Sequence, residues 1–277
     1  MTSPSGPRIF GIVANEAPVV AVIRRGPSSW CATGRWDVAA ATYEPGTWIH
    51  GTVYPQRCDL SPDGRWLAAF VLKQSGDWAA GSAYVSLSRL PWLTALAAWG
   101  IGSTWTNGVH FLPEPGLWPA SEPDVGDPTP CRERYGLAWT GAASFAVERR
   151  RGWCEAASTP PRDPDDVWDQ RREVTMEKPS PGRPDLLLHA RGWYAAFRAF
   201  EPDRFGESAY WLEIDGGSVA LDGVQWADWS LDGRLLVATS DGRLQVRDET
   251  AADVTWEHNL AEETPHATPP PPEASLW

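Results

Sequence analysis

The sequence has 277 residues, enough to bury a full hydrophobic core in one large or two small domains. Hydrophobic residues make up 42% and charged residues 22%, a balance that excludes a disordered chain. The net charge of −12 disfavours a nucleic-acid partner, because proteins that bind nucleic acid usually present a basic patch.

Targeting and membrane signals are not evident in the sequence. The first residues show no basic start followed by an apolar run of signal-peptide length. No stretch approaches the roughly 18 consecutive apolar residues of a membrane span. The cysteines Cys31, Cys58, Cys131 and Cys154 are far apart, which disfavours zinc and is typical of reduced thiols. We therefore expect a cytoplasmic protein without a membrane segment.

Tryptophan, glycine and proline are unusually frequent. The chain has 18 tryptophans, 25 glycines and 26 prolines. Tryptophan suits sheets stacked on sheets because it buries a large area, and many glycines and prolines indicate many turns. Lys73 and Lys178 are the only lysines, and this bias towards arginine is typical of a GC-rich genome.

Short β-rich segments between turn signals follow one another along the whole chain, and no long helical pattern occurs. The tally is about 20 strands, and four strands per blade would give about five blades of a β-propeller. The predicted strands are residues 9–14, 19–25, 35–41, 48–53, 66–72, 83–87, 93–99, 108–112, 135–139, 144–150, 186–190, 193–199, 210–214, 218–221, 225–229, 235–239, 244–247 and 254–257.

Two of the turns carry nearly the same sequence. Ser61-Pro62-Asp63-Gly64-Arg65 precedes one apolar run, and Ser230-Leu231-Asp232-Gly233-Arg234 precedes another. In such turns the aspartate can bond its own backbone and the glycine takes the left-handed conformation. Asp241-Gly242 is a further hairpin signal, so residues 225–247 predict three antiparallel strands. A hairpin meander in a sandwich or barrel is the alternative interpretation.

The recurring strings indicate a repeat. The two Asp-Gly turns are about four blade lengths of roughly 42 residues apart. The segments 60–68 and 229–238 resemble the repeat of TolB-type and WD-repeat β-propellers, and Trp36-Asp37 lies where the WD dipeptide would. The Gly-His pair of WD repeats is not evident, so the TolB type is the better match. The resemblance implies a fold and no activity, since propellers host many functions.

The predicted organisation is an all-β, single β-propeller domain over residues 1–261, with about five blades of four-stranded antiparallel sheets. Spacing alone also allows six or seven blades. Long loops rich in proline and aspartate are predicted near 113–130 and 157–184. The proline-rich segment 262–277 is predicted to be an extended, poorly ordered tail that does not close the ring. Ring closure would use residues 254–257 or 9–14.

The histidines show no spacing typical of a metal site. They are His50, His110, His189, His258 and His266. His189 lies in an apolar run, where a satisfied interior histidine is the favoured interpretation over a ligand. The acidic string 163–169 could offer oxygens to calcium, but it lacks the glycine and final glutamate of an EF-hand loop, which favours a solvated loop. No metal is therefore expected.

Catalytic motifs are also missing. The sequence contains no Gly-x-Ser-x-Gly elbow, phosphate-binding loop or dinucleotide fingerprint. Residues 100–105 resemble a glycine-rich loop only loosely and are predicted to form a turn. With 36 acidic residues, carboxylate pairs suited to a glycosidase arise by chance, so none is nominated. The catalytic residues stay unknown and no cofactor is expected.

Two arginine clusters precede similar Trp-Cys pairs. Arg149-Arg150-Arg151 comes before Trp153-Cys154, and Arg24-Arg25 comes before Trp30-Cys31. They could form rim sites for an acidic partner. The favoured alternative is a pair of blade corners with arginine planes stacked on tryptophan faces.

The sequence predicts a binding role for the chain. We expect a rigid scaffold that presents loops to a protein or peptide partner, with no nucleic acid, no membrane and an open oligomeric state. The alternative class is a hydrolase acting on a glycan or peptide in the central pocket, and a third is a structural subunit of an assembly. Inward carboxylates would favour the enzyme, and an aromatic or apolar patch would favour binding.

Overall fold

A computed structural model describes residues 6–73, 78–104, 108–111, 122–139, 146–160, 172–195, 198–202 and 209–277. The structure is 53% strand and 8% helix. Its strands are β1 (Arg8–Val13), β2 (Val19–Arg25), β3 (Trp30–Asp37), β4 (Thr42–His50), β5 (Thr52–Val53), β6 (Asp59–Leu60), β7 (Trp66–Leu72), β8 (Ala83–Arg89), β9 (Ala95–Gly100), β10 (Val109–Phe111), β11 (Val125–Gly126), β12 (Leu137–Trp139), β13 (Cys154–Ser158), β14 (Arg172–Ser180), β15 (Arg183–Ala195), β16 (Arg198–Pro202), β17 (Tyr210–Ile214), β18 (Gly217–Ala220), β19 (Val224–Trp229), β20 (Leu235–Thr239), β21 (Arg243–Arg247) and β22 (Val254–Asn259). The α-helices are α1 (Thr129–Tyr135) and α2 (Ala146–Arg150), and 3₁₀ turns span Pro55–Arg57 and Pro272–Ser275.

The described strands form antiparallel sheets in which most strands pair with their neighbours in sequence. Two sheets are four-stranded, in the orders β1-β2-β3-β4 and β19-β20-β21-β22. Two are six-stranded, built on β11-β9-β8-β7-β5 with β6 and on β13-β14-β15-β17-β18 with β16, and β10 pairs with β12. The predicted fold class is confirmed as all-β with antiparallel sheets.

The chain divides into two compact units. Unit 1 comprises Met1–Gly11 and Ser144–Glu262, and unit 2 comprises Ile12–Ala143 and Glu263–Trp277. Each unit therefore combines one long segment with a short segment from the other end of the chain. The predicted single domain over residues 1–261 stays a prediction.

Each unit has its own hydrophobic core. In unit 2, β7 reads Trp-Leu-Ala-Ala-Phe-Val-Leu and is buried through Val71, because both faces of the strand are covered. In unit 1, all five residues of β20 are buried, and Leu235 and Val237 pack in one cluster with Met176, Leu188 and Trp229. Continuous apolar runs of strand length thus mark the centre of each unit.

The Asp-Gly turns have equivalent structures. Gly64 N donates to Ser61 O at 2.9 Å, and Gly233 N donates to Ser230 O at 3.1 Å. In both turns the serine hydroxyl donates to the aspartate two residues later and accepts from the amide of the following arginine. Gly64 has a φ of 72° and Gly233 a φ of 81°, the left-handed conformation that the sequence predicted. The turn at Asp241 repeats the pattern with a threonine as its first residue.

The strand predicted at 144–150 is wrong where the structure describes it. Residues 146–150 form the helix α2, and Arg151 N donates to Val147 O at 3.2 Å as the helix ends. The segment Ala-Val-Glu-Arg-Arg consists mainly of good helix formers, and Val147 is buried while the three residues after it are charged. The segment has too few alternating apolar residues to form the buried face of a strand.

The predicted loop near 157–184 contains the long strand β14. Val174 and Met176 are buried while the residues between and after them are polar, which is the alternation of a half-buried strand. The flanking prolines and aspartates hide this pattern in the sequence. Residues 161–171 lie outside the described part, as does most of the predicted loop near 113–130, whose far end contributes β11 and the start of α1.

Other boundaries shift by a few residues. The strand predicted at 35–41 begins earlier, as β3, and Ala41 lies in a turn with a φ of 54°. The strand predicted at 186–190 and the first residues of the one predicted at 193–199 form one strand, β15, because Gly192 pairs with both Val174 and Pro202 and so does not interrupt the ladder. Residues 198 and 199 belong to the next strand, β16.

The C-terminal segment differs from the poorly ordered tail that the sequence predicts. It is extended and joins no sheet, but Ala274 is fully buried and Trp277 packs against Trp66 of unit 2. Isolated aromatic and small residues provide these contacts, and such residues give no strand pattern. Among the described helices, none is long and apolar enough to cross a membrane.

Candidate functional site

An open cleft of about 430 Å³ lies in unit 2. Its walls are mainly aromatic and aliphatic, with one lysine as the only charged group among the described lining residues. Ligand sites in proteins usually have volumes of roughly 300–1,000 Å³, so this cleft is large enough for a small molecule or a peptide side chain. The cleft is lined by Lys73, Trp78, Tyr84, Leu93, Ala95 and Val125.

The connection between β7 and β8 positions most of the polar and aromatic lining. Lys73 directly follows β7, and its amide donates to Ser82 O at 2.8 Å. Trp78 begins a turn that is closed when Gly81 N donates to its carbonyl at 2.8 Å. Tyr84 is the second residue of β8. The two ends of one hairpin connection thus bring the ammonium and the two rings to the same cleft.

The aromatic wall is an edge-to-face pair. The ring centroids of Trp78 and Tyr84 are 4.2 Å apart, with an interplanar angle of 72°. Burial raises the pKa of Tyr84 to about 12, so its hydroxyl keeps its proton at neutral pH. The cleft therefore combines two aromatic rings, a neutral hydroxyl and the ammonium of Lys73 on a surface that is more polar than apolar, a set that suits a side chain next to a carboxylate or carbonyl.

A second, much smaller cavity lies in unit 1. Its volume is about 50 Å³, room for one or two water molecules. Aromatic and charged side chains meet at its wall, and Asp228 is one of them. The lining consists of Phe10, Gly11, Glu148, Arg151, Trp153, Met176, Ala190, Tyr210, Trp226, Ala227 and Asp228.

Asp228 forms a buried ion pair at this cavity. Lys178 Nζ donates to Asp228 Oδ1 at 2.6 Å, and the carboxylate also accepts from Trp229 N at 2.7 Å and from Trp153 Nε1 at 3.4 Å. Burial, followed by the negative charge of Asp228, raises the pKa of Tyr210 well above its usual value. The site is polar and tightly bonded, which is typical of a structural network.

The same position of the repeat carries a buried aspartate in unit 2. Asp59 precedes Leu60-Ser61 as Asp228 precedes Trp229-Ser230, and each carboxylate accepts from the amide of the next residue. Asp59 Oδ2 also accepts from Phe111 N at 2.8 Å and lies 4.0 Å from His110 Nδ1. The equivalent aspartates thus bind different partners. Sequence reasoning missed both, although Asp-x-Ser before each Asp-Gly turn was the available signal.

The histidines are dispersed. His189 is almost fully buried, its Nε2 lies 3.2 Å from Glu213 Oε2, and its ring stacks on Trp211 with centroids 5.0 Å apart. His189 is thus an interior histidine bonded through Nε2, and its buried Nδ1 has no hydrogen-bond partner among the described residues. His50 bonds Ser29 Oγ at 2.6 Å. Within the described ranges, no three histidine, cysteine or acidic side chains are grouped to hold a metal ion.

The arginine clusters differ from one another. The Arg24 guanidinium lies over the Trp48 ring at 4.7 Å and is 3% exposed, which is the stacked, structural arrangement. Arg149 and Arg150 end the helix α2 and Arg151 lines the small cavity, so the two clusters are not equivalent corners. The acidic string 163–169 lies outside the described residues, and residues 101–104 form bends without a helix.

All four cysteines are free thiols. Cys31, Cys58 and Cys131 are buried, and Cys154 is exposed. Burial, followed by the charge of Asp63, raises the pKa of Cys131 to about 12, so this thiol stays protonated and unreactive at neutral pH.

Comparisons with known proteins give distant structural likenesses. No protein-family model matches the chain, and the search of curated proteins gave no match. An uncharacterized protein, lmo1340 from Listeria monocytogenes EGD-e, is 11% identical over 94% of this chain and 68% of its own, with a TM-score of 0.25. The dihydro-heme d1 dehydrogenase NirN, in complex with DHE, is 11% identical over 93% of this chain and 67% of its own, with a TM-score of 0.27. At such TM-scores neither likeness bears on function.

Proposed function

We propose that the chain is a protein- or peptide-binding scaffold of the β-propeller type and that the aromatic cleft of unit 2 is its binding site. The aromatic lining carries the proposal, because none of the described lining residues is acidic and the one charge is the ammonium of Lys73. An extended segment with an apolar side chain beside a carboxylate fits this chemistry.

The alternative, a hydrolase acting on a glycan or peptide, has weaker support. Glycosidases place two carboxylates on either side of a sugar, roughly 5–10 Å apart. Glu148 and Asp228 both line the small cavity of unit 1, but its 50 Å³ or so cannot hold a sugar ring, and Asp228 is already paired with Lys178. The cleft of unit 2 is large enough for a sugar, but none of its described lining residues is acidic.

We also propose that the repeat is of the TolB type and that the protein works in the cytoplasm. The matched Ser-x-Asp-Gly-Arg turns support a TolB-type repeat, since their hydrogen bonds are the same in both copies. Four free thiols, three of them buried, fit a reducing compartment such as the cytoplasm.

Site-specific photo-crosslinking tests the proposal. A benzophenone side chain at Leu93 should capture one defined partner in cells of the native host, while the same group at Trp193, an exposed residue of unit 1, should not. The purified partner should then bind Trp78→Ala at least about tenfold more weakly, since losing a buried anchor ring commonly costs 2 kcal/mol or more. Equal affinity for Trp78→Ala, or turnover of glycans or peptides by the purified protein, would contradict the proposal.

A further inference from the structure

The segment 263–277, here called the tail segment, lies on unit 2 as an extended strand-free chain. It belongs to unit 2 although it follows β22 of unit 1 in sequence. No strand is assigned in it, and its one regular element is the 3₁₀ turn Pro272–Ser275. The segment is therefore held in place by side-chain contacts and by hydrogen bonds to its backbone carbonyls.

From Pro265 onward, every third residue of the tail segment faces the protein. The most covered positions recur at intervals of three, and the residues between them are exposed. Polyproline II has three residues per turn, and a 3₁₀ helix has the same repeat, so one face of the segment stays against unit 2 throughout. Pro271, with φ −68° and ψ 159°, has the polyproline II conformation. The covered positions are Pro265, Thr268, Pro271, Ala274 and Trp277.

An arginine and a tryptophan hold the first part of the tail segment. Arg24 Nη2 donates to Glu263 O at 3.0 Å, and the guanidinium itself lies over the Trp48 ring at 4.7 Å. The ring of His266 approaches the same tryptophan, with centroids 6.4 Å apart. Arg24 Nη1 also donates to Gly26 O at 2.6 Å, a bond within unit 2 that orients the guanidinium independently of the segment.

The second part is held in the same way. The rings of Trp277 and Trp66 have centroids 5.3 Å apart, and Arg89 Nη1 donates to Glu273 O at 3.2 Å. The guanidinium of Arg89 also lies over the Trp66 ring at 5.7 Å. Ala274 is fully buried between these anchors. In both parts of the segment, an arginine whose guanidinium lies over a tryptophan ring donates a hydrogen bond to a backbone carbonyl of the segment.

We propose that this surface is a peptide-binding site for extended proline-rich segments and that the tail segment is its resident ligand. Aromatic platforms that receive one face of a polyproline II helix are a recurring mode of peptide recognition, because the ligand loses little entropy on binding. The two carbonyl bonds do not depend on covalent attachment to the chain. A separate peptide with the same three-residue pattern makes the same contacts, and the attached segment competes with it.

A full-length protein with a protease site inserted between Glu262 and Glu263 tests this. After cleavage of the folded protein, a fluorescent peptide of residues 263–277 should exchange with the cut segment and bind at one per chain. The uncut protein should bind it at least about tenfold more weakly, because a tethered segment has an effective concentration on the order of millimolar. Fluorescence anisotropy measures both affinities.

Peptide variants supply the matched controls. Trp277→Ala and Ala274→Asp peptides should lose at least about tenfold in affinity, since both positions are covered. A Leu276→Ala peptide should bind like the parent, because Leu276 is 60% exposed. An Arg89→Gln protein should bind the parent peptide more weakly.

Three results would overturn the proposal. One is no binding of the labelled peptide by the cleaved protein at millimolar concentration. Another is equal affinity of the Leu276→Ala and Trp277→Ala peptides. The third is unfolding of the protein when the segment is released, since a segment that the fold requires is not an exchangeable ligand. The cleft test uses other residues, so its failure leaves this result unaffected.

Discussion

Single glycines determine the geometry of the repeated turns. Gly64 and Gly233 both have positive φ, and both lie close to a neighbouring segment of their own unit. A Cβ at position 64 would lie 2.8 Å from Val19 Cβ, and one at position 233 would lie 2.7 Å from Pro181 O. The sequence predicts the left-handed conformation from Asp-Gly, but the close approach depends on residues far away in the chain.

Gly64→Ala and Gly233→Ala should each lower the free energy of unfolding by at least about 1 kcal/mol, because both backbone strain and the close contact oppose a methyl group. Gly182→Ala is the matched control, since Gly182 has a φ of 84° and open space around it. It should lower the free energy of unfolding by less, because only backbone strain opposes the methyl group there. Urea unfolding measures all three. If Gly182→Ala lowers the free energy of unfolding as much as the other two substitutions, the close contacts at positions 64 and 233 do not contribute to the loss.

At the scale of elements, a buried ion pair fixes one strand to a neighbouring sheet. Lys178 on β14 and Asp228 on β19 are 50 positions apart, and their side chains are mostly buried. The sequence predicts β19 but assigns β14 to a loop, so it offers no reason to pair these residues. The pair exists because the two sheets of unit 1 share one core.

Lys178→Met should destabilise the protein by about 3–5 kcal/mol, because it leaves the carboxylate of Asp228 buried without its cation. The double variant Lys178→Met/Asp228→Asn should recover part of that loss, since the amide oxygen still accepts from Trp229 N and no charge is buried. Chemical unfolding of the wild type, both single variants and the double variant gives the coupling energy. A double variant that is less stable than Lys178→Met would contradict this account.

Strands are the main secondary structure of this protein. The structure is 53% strand and 8% helix, and the two α-helices among the described residues are short. We expect the far-ultraviolet circular dichroism spectrum to be that of a β-protein with helix below about a tenth. Adding trifluoroethanol, which induces helix, gives a reference for the same chain. Helix near one third in buffer would exclude the fold described.

Apolar periodicity and turn signals predicted the all-β class and much of the local structure, although they missed α2 and β14. Alternating or continuous apolar runs predicted β2 and β20 to the residue, and Asp-Gly predicted the turns, because these features depend on neighbours in the chain. The contacts between strands and segments distant in sequence became known from the three-dimensional structure alone. The cleft joins Lys73 and Val125, the ion pair joins β14 and β19, and the tail segment meets Trp48 and Trp66. Such contacts depend on packing between residues distant in sequence, and a local pattern holds no information on them.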